Sequence, residues 1–217
     1  ENLKKLSGLD QPLYIQYWMY LKGLATFDFG PSYIMHDFKV HELFAKGLPV
    51  SIRLGLSALV LALVVGMALG IVAALRQNKA ADYTVIGLAT VGITIPNFVV
   101  APIVQIVFGL WLAWLPVAGW GGGAIRNTLL PILVLSLREI AVITRLTRAA
   151  MIETLRADHI RTLRAQGLGL PVIVRHALRG ASLPVISYLG PAAAALLTGS
   201  IVVETIFGLP GIGRYFV

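Results

Sequence analysis

Cysteine is absent from the 217 residues, and the 10 acidic residues are outnumbered by 18 lysines and arginines. Without cysteine the chain has no disulfide framework and no thiolate metal site. Charged residues of either sign make up only 13%, about half the roughly 25% of a soluble domain. That scarcity argues against an ordinary soluble enzyme. Disorder is excluded by the opposite excess, since 57% of the residues are hydrophobic and mean hydropathy is +0.81. A net charge of +8 on so apolar a chain points to a membrane protein whose charges sit in loops. No secretory signal opens the sequence, which starts at Glu1 and stops at Val217 within a Gly/Pro segment. A fragment of a longer chain is expected.

Catalytic signatures are missing too. There is no Gly-rich phosphate loop of the Walker type, no G-x-S-x-G and no H-E-x-x-H. A nucleic-acid role for the basic excess is set aside because the arginines are interleaved with apolar stretches. His36 and His41 stand five apart without neighbouring ligands and read as surface residues.

What is present is a series of uncharged stretches. About 20 apolar helical residues cross a bilayer. Leu54 to Leu75 lies uncharged and proline-free between Arg53 and Arg76. Tyr83 to Ile125 is too long for one helix, and Pro96 and Pro102 interrupt it. It predicts a helix over 83–113 bent near Pro96, with Trp111, Trp114 and Trp120 at a membrane–water interface and Gly119–Gly123 as an interfacial loop. Asn127 to Thr144 is a third span, carrying Arg138 and Glu139, and Gly180 to Val203 is a fourth. Residues 1–47 mix aromatics with charges and read as an extramembrane, amphipathic segment of short helices. The fold class is therefore all-α and polytopic.

Orientation follows from the positive-inside rule. Two spans separate the 76–82 loop from the 145–182 loop, so both lie on one side. Together they hold +6 of the net charge, seven arginines of the second loop facing only Glu153 and Asp158. That side is the expected cytoplasm. Within the second loop, Met151 to Ala165 predicts one amphipathic helix with Ile152, Leu155, Ile160 and Leu163 on a single face, ended by Gly167 and Gly169. Residues alone leave two readings open, a helix lying on anionic lipid or a docking helix for a cytoplasmic partner.

The run Ile160-Arg161-Thr162-Leu163-Arg164-Ala165-Gln166-Gly167-Leu168, followed by Arg175-His176-Ala177-Leu178-Arg179 and Leu183-Pro184, resembles the EAA loop of binding-protein-dependent ABC importer permeases. The oligopeptide/dipeptide branch, and its B-type permease, is the most similar. Further matches follow in chain order: Gly8 to Leu13, Asp28 to Ser32, Thr94 to Phe98, and Gly199 through Glu204 to Gly213. The chain departs at Leu163, where the family usually carries alanine, and lacks a basic pair between Gly167 and His176.

The resemblance implies a type I importer core, with four of six spans present over 48–206, a coupling loop at 148–182 and an extracytoplasmic tail at 207–217. Glu153, Arg161, Thr162, Leu163, Arg164, Ala165 and Gly167 would couple the loop to a cytoplasmic ATPase. The implied partners are a second homologous permease, two ATPase subunits, an extracytoplasmic peptide-binding protein and the lipid bilayer of a bacterial inner membrane. The chain itself would be non-catalytic and free of cofactor, with ATP and Mg on the ATPases. Peptides are the implied solute; nickel or glutathione, as in related permeases, is an alternative, and an ATP-independent channel or secondary transporter another. Arg138 and Glu139, at membrane depth, mark either a solute pathway or a structural ion pair. Glu204 matches a family glutamate and marks a gate, a binding-protein contact or a solvated interfacial carboxylate.

Overall fold

The computed structural model describes residues 11–30, 32, 38–198 and 201–216. Gly8, Leu9 and Asp10 of the first motif, and Pro31, His36, Gly199, Ser200 and Val217, lie outside the described residues. Among the described residues every regular element is helical. In chain order they are α1 (Leu13–Ala25), α2 (Val40–Leu75), α3 (Ala80–Thr94) and α4 (Asn97–Val104), which continues as π-helical turns over Gln105–Trp111. A 3-10 turn at Gly121–Gly123 leads into α5 (Ile125–Leu155), α6 (Asp158–Ala165), α7 (Leu170–Leu197) and α8 (Ile201–Ile206). A last 3-10 turn spans Gly213–Phe216.

The long helix α2 organises the rest. Gly55, Ala58, Ala62, Gly66, Gly70 and Ala73 recur every three or four residues and are all buried. They form one continuous small-residue face, along which neighbouring backbones come close. A Cβ at Gly66 would strike Ile143 of α5, one at Gly70 would strike Thr147, and one at Gly55 would strike the Leu196 carbonyl of α7. The opposite face carries Leu56, Val60, Val64 and Val72, all strongly exposed. Such a face suits lipid or a further helix rather than water.

These contacts fix direction. Rising numbers on α2 meet rising numbers on α5, so the two run parallel. Rising numbers on α7 meet falling ones on both, because Gly180 approaches Thr154 while Leu196 approaches Gly55. The helix α3 starts beside α5 at Asp82–Arg148 and comes near Leu137 and Ala141 at Gly92. The chain thus makes four alternating passes. One end of the bundle carries Arg76, Asp82 and residues 145–182 (the arginine-rich end), and the other carries Gly119–Gly123 and Gly208–Gly213 (the glycine-rich end). Three apolar clusters fill it: Leu54, Leu130, Val134 and Phe207 towards the glycine-rich end, Ala62, Ile143 and Val185 midway, and Met151, Ile160 and Ala177 at the arginine-rich end.

Several expectations need correction. Residues 40–47 belong to α2 rather than to a separate surface segment, and the helix runs on through Pro49. Only α1, which has no buried residue, matches the short helices expected before residue 48. The expected 83–113 helix is broken at Ile95–Pro96 into two arms bent by 104°. Proline supplies no N–H, and Ile95 before it is extended at ψ 119°, as a residue preceding proline prefers. By length and composition α2 and α7 can cross a membrane, and the bent pair counts as a third candidate. The expected span 127–144 lies inside α5, which is not among these candidates.

Candidate functional site

At the arginine-rich end, α5 and α7 are joined by α6. The expected helix Met151–Ala165 is two helices, because Ala157 is extended (ψ 151°) between Leu155 and Asp158. Asp158 then opens α6, where an acid complements the helix dipole. Ile160 is fully buried against Ala74, Met151, Ile173 and Ala177 and pins α6 across the ends of three passes. Leu163 is half-buried on the same cluster. Gly167 ends the element at φ +78°, with its N–H bonded to the Arg164 carbonyl and that of Leu168 to the Leu163 carbonyl. This paired arrangement is the Schellman ending, whose left-handed position suits glycine.

The structure therefore gathers most of the expected coupling residues. Arg161, Thr162, Arg164 and Ala165 are exposed along α6, and Gly167 sits at its turn. Glu153 is also exposed, but on α5, beyond the break. Arg161 reaches Asp158 at 3.3 Å with side chains 72% and 94% exposed, so the pair holds the guanidinium only weakly.

Sequence reasoning missed what anchors this end. Asp82, buried at the start of α3, receives Arg148 of α5 through both Nε and Nη2, the latter at 2.7 Å. The Asn78 N–H adds a third bond at 2.9 Å. Arg148 above all, and then Asn78, holds the Asp82 carboxyl below the usual carboxylate range, although burial opposes them. Arg156 reaches Gln77 at 3.1 Å. The signal was available: Asp82 is the only acid in a basic loop, and it faces an arginine-rich block.

The charged groups at depth separate. Glu139 is buried and accepts the Tyr188 hydroxyl of α7 at 2.6 Å, while Arg138 on the next position is exposed. They do not pair with each other, as their angular offset of about 100° requires. Within this chain the partner of Glu139 is the neutral hydroxyl of Tyr188.

Glu204 is 2% exposed, which removes the solvated reading. Its carboxylate accepts the Ser51 hydroxyl of α2 at 2.7 Å and the Gly213 N–H at 2.6 Å. Ser51 in turn accepts the Ile212 N–H at 2.9 Å. Gly211 and Gly213 lie so close to the carboxylate that a Cβ at either would overlap it. The closing Gly-rich run is thus folded around Glu204 and stapled to α2. Nearby, Gln105 of the π-turns donates to the carbonyls of Val117 (2.9 Å) and Ile206 (3.1 Å), and Arg53 stacks on Trp120 while bonding the Gly123 carbonyl. Trp111 and Trp114 are exposed.

Among the described residues no three His, Asp or Glu side chains gather to hold a metal. Comparison with known proteins agrees with the helical architecture. A family model described as "Binding-protein-dependent transport system inner membrane component" matches residues 66–217. Over its whole length the chain is 51% identical to the oligopeptide transport system permease protein OppB of Escherichia coli (strain K12), covering 71% of that protein. It is 45% identical to the dipeptide transport system permease protein DppB of Bacillus subtilis (strain 168), again over all of this chain and 70% of the relative. The alternating apolar passes, the small-residue seam and these matches lead to one conclusion: the chain belongs to the binding-protein-dependent transport system inner membrane component family, and is a permease.

Proposed function

We propose that the chain is a transmembrane permease subunit of an ATP-driven importer of oligopeptides or dipeptides in a bacterial inner membrane. It works beside a second homologous permease, two cytoplasmic ATPase subunits and an extracytoplasmic peptide-binding protein. ATP and Mg act on the ATPases, and this chain performs no catalysis. The arginine-rich end faces the cytoplasm.

The observation that carries this reading is the mounting of α6. Ile160 and Leu163 fasten it to the bundle, while Arg161, Thr162, Arg164 and Ala165 face outward. A force applied to the outward face reaches α5 and α7 directly, because α6 joins them. Arg161 is free to exchange its weak Asp158 contact for a bidentate contact with an acid on the ATPase. Asp82–Arg148 keeps α3 moving with α5, and Glu139–Tyr188 keeps α5 moving with α7. Arg138 lines the solute pathway; Glu139 and Glu204, both buried, position its walls.

The test is co-purification of the ATPase subunits and ATP-dependent peptide uptake in membrane vesicles carrying the complete importer. Arg161→Glu and Gly167→Asp should each lower ATPase recovery and uptake at least tenfold, about 1.4 kcal/mol of coupling. If both variants keep ATPase binding and coupled uptake, α6 is not the docking helix.

A further inference from the structure

Two arginines on one face of α5 take no part in holding the bundle together. Arg138 and Arg145 stand seven residues apart, two helical turns, so they leave the same side of α5 about 10 Å from one another. Both are exposed. Among the described residues neither donates a hydrogen bond or joins an ion pair, as is also true of Arg76, Arg164, Arg175 and Arg179 at the arginine-rich end, whereas Arg53, Arg126, Arg148, Arg156 and Arg161 each have a partner. Each of the two also lines its own open cleft. The one beside Arg138 measures about 400 Å³ and is walled by Thr94, Pro96 and Asn97 at the α3–α4 corner. The one beside Arg145 measures about 560 Å³ and is walled by Ile86, Val142 and Ala149. Ile93 forms part of both, so the clefts adjoin along the groove between α3 and α5.

A guanidinium keeps its charge at any physiological pH and presents a planar fork that fits a carboxylate. At membrane depth it must face water or a partner charge. Arg138 lies near the middle of α5, level with the Glu139–Tyr188 bond, which is too deep for a lipid headgroup. Two adjoining sites in sequence suit a ligand that must bind in order to enter and leave in order to pass.

Resting on the importer reading above, we propose that Arg138 and Arg145 form a two-step wall for the solute's terminal carboxylate. Arg138 receives it at the helix corner, and Arg145 takes it over two turns on, where the arginine-rich end begins. The solutes this wall favours are free-acid peptides rather than carboxyl-blocked ones.

The experiment uses the complete importer, reconstituted in proteoliposomes with its binding protein. Uptake of one tripeptide is measured as the free acid and as the C-terminal amide, for the unaltered chain and for Arg138→Gln, Arg138→Lys and Arg145→Gln. Each variant is scored as a ratio to the unaltered chain for the same peptide, so the binding protein's own preference cancels. Either glutamine variant should cut free-acid uptake about tenfold, the worth of one charge-assisted hydrogen-bonded contact, and amide uptake far less. Arg138→Lys should fall between. An equal fall for both peptides with the complex intact overturns the wall. So does loss of assembly in the glutamine variants, which assigns the guanidinium groups to a subunit contact. Failure of the unaltered importer to move either peptide sinks the importer reading instead.

Discussion

Asp82 shows how much one side chain can carry. It is buried, it accepts three hydrogen bonds, and Arg148 balances its charge. Removing one partner of a buried pair strands the other, which makes the loss larger than the pair's net worth. Since Arg148 is 26% exposed, Asp82→Asn should lower stability by about 2 kcal/mol, below the full buried-pair figure. Thermal unfolding of the detergent-solubilised complex measures it. The pH dependence has a definite sign. The folded carboxyl titrates below its unfolded value, so the stabilisation is complete above roughly pH 4 and drains away only as pH falls through the lower folded value. The unaltered protein should thus show an acid limb that Asp82→Asn lacks, and identical limbs would remove the role given to this pair. Residue by residue, sequence reasoning found charges but not their partners. The offset between Arg138 and Glu139 follows from helix geometry, whereas Tyr188 lies 49 positions away and no local periodicity points to it.

The elements obey a different rule. The face of α2 that packs is mostly glycine and alanine, with Leu43 and Leu54 buried beside them, whereas Leu56, Val60, Val64 and Val72 point outward. In lipid, apolar side chains gain little by leaving one another's company, so close backbone approach decides which face is buried. The Gly/Ala spacing of 55–73 was readable, but the reading attended to hydropathy, which does not distinguish packed from exposed faces. The small residues of α7 are packed only in part: Ala192 is buried, whereas a Cβ at Gly190 would meet nothing. Gly70→Leu should therefore break the α2–α5 contact and prevent recovery of folded permease, while Gly190→Ala should cost less than about 0.5 kcal/mol. Expression and thermal stability of the two variants side by side test this. The α5–α6 break was illegible for a related reason. Ile152, Leu155, Ile160 and Leu163 keep a helical period across it, and all four do pack on the same cluster. They do so from two helices, because burial selects the face and leaves the backbone between free to turn.

For the molecule as a whole, the alternation of passes was legible because basic loops and apolar runs alternate, and the corner at Pro96 was not. A proline predicts a bend and leaves its angle to the surroundings. The orientation proposed above has a direct test, helped by the absence of cysteine from these 217 residues. Single cysteines at Asn78 and Gln166 should react with a membrane-impermeant maleimide only from the cytoplasmic side, and one at Gly122 only from outside. The reverse pattern would overturn the orientation.

The staple at the glycine-rich end bears on how the protein is made. Ser51 hydrogen-bonds Ile212, 161 positions later, and both flank the same Glu204 carboxylate. At about 5–20 residues per second, a ribosome needs on the order of ten seconds to travel between them. For that interval the start of the first long pass has entered the bilayer with its partner still unsynthesised. The glycine-rich mouth of these passes therefore cannot close until Gly213 has been made, however early Ser51 reaches its place.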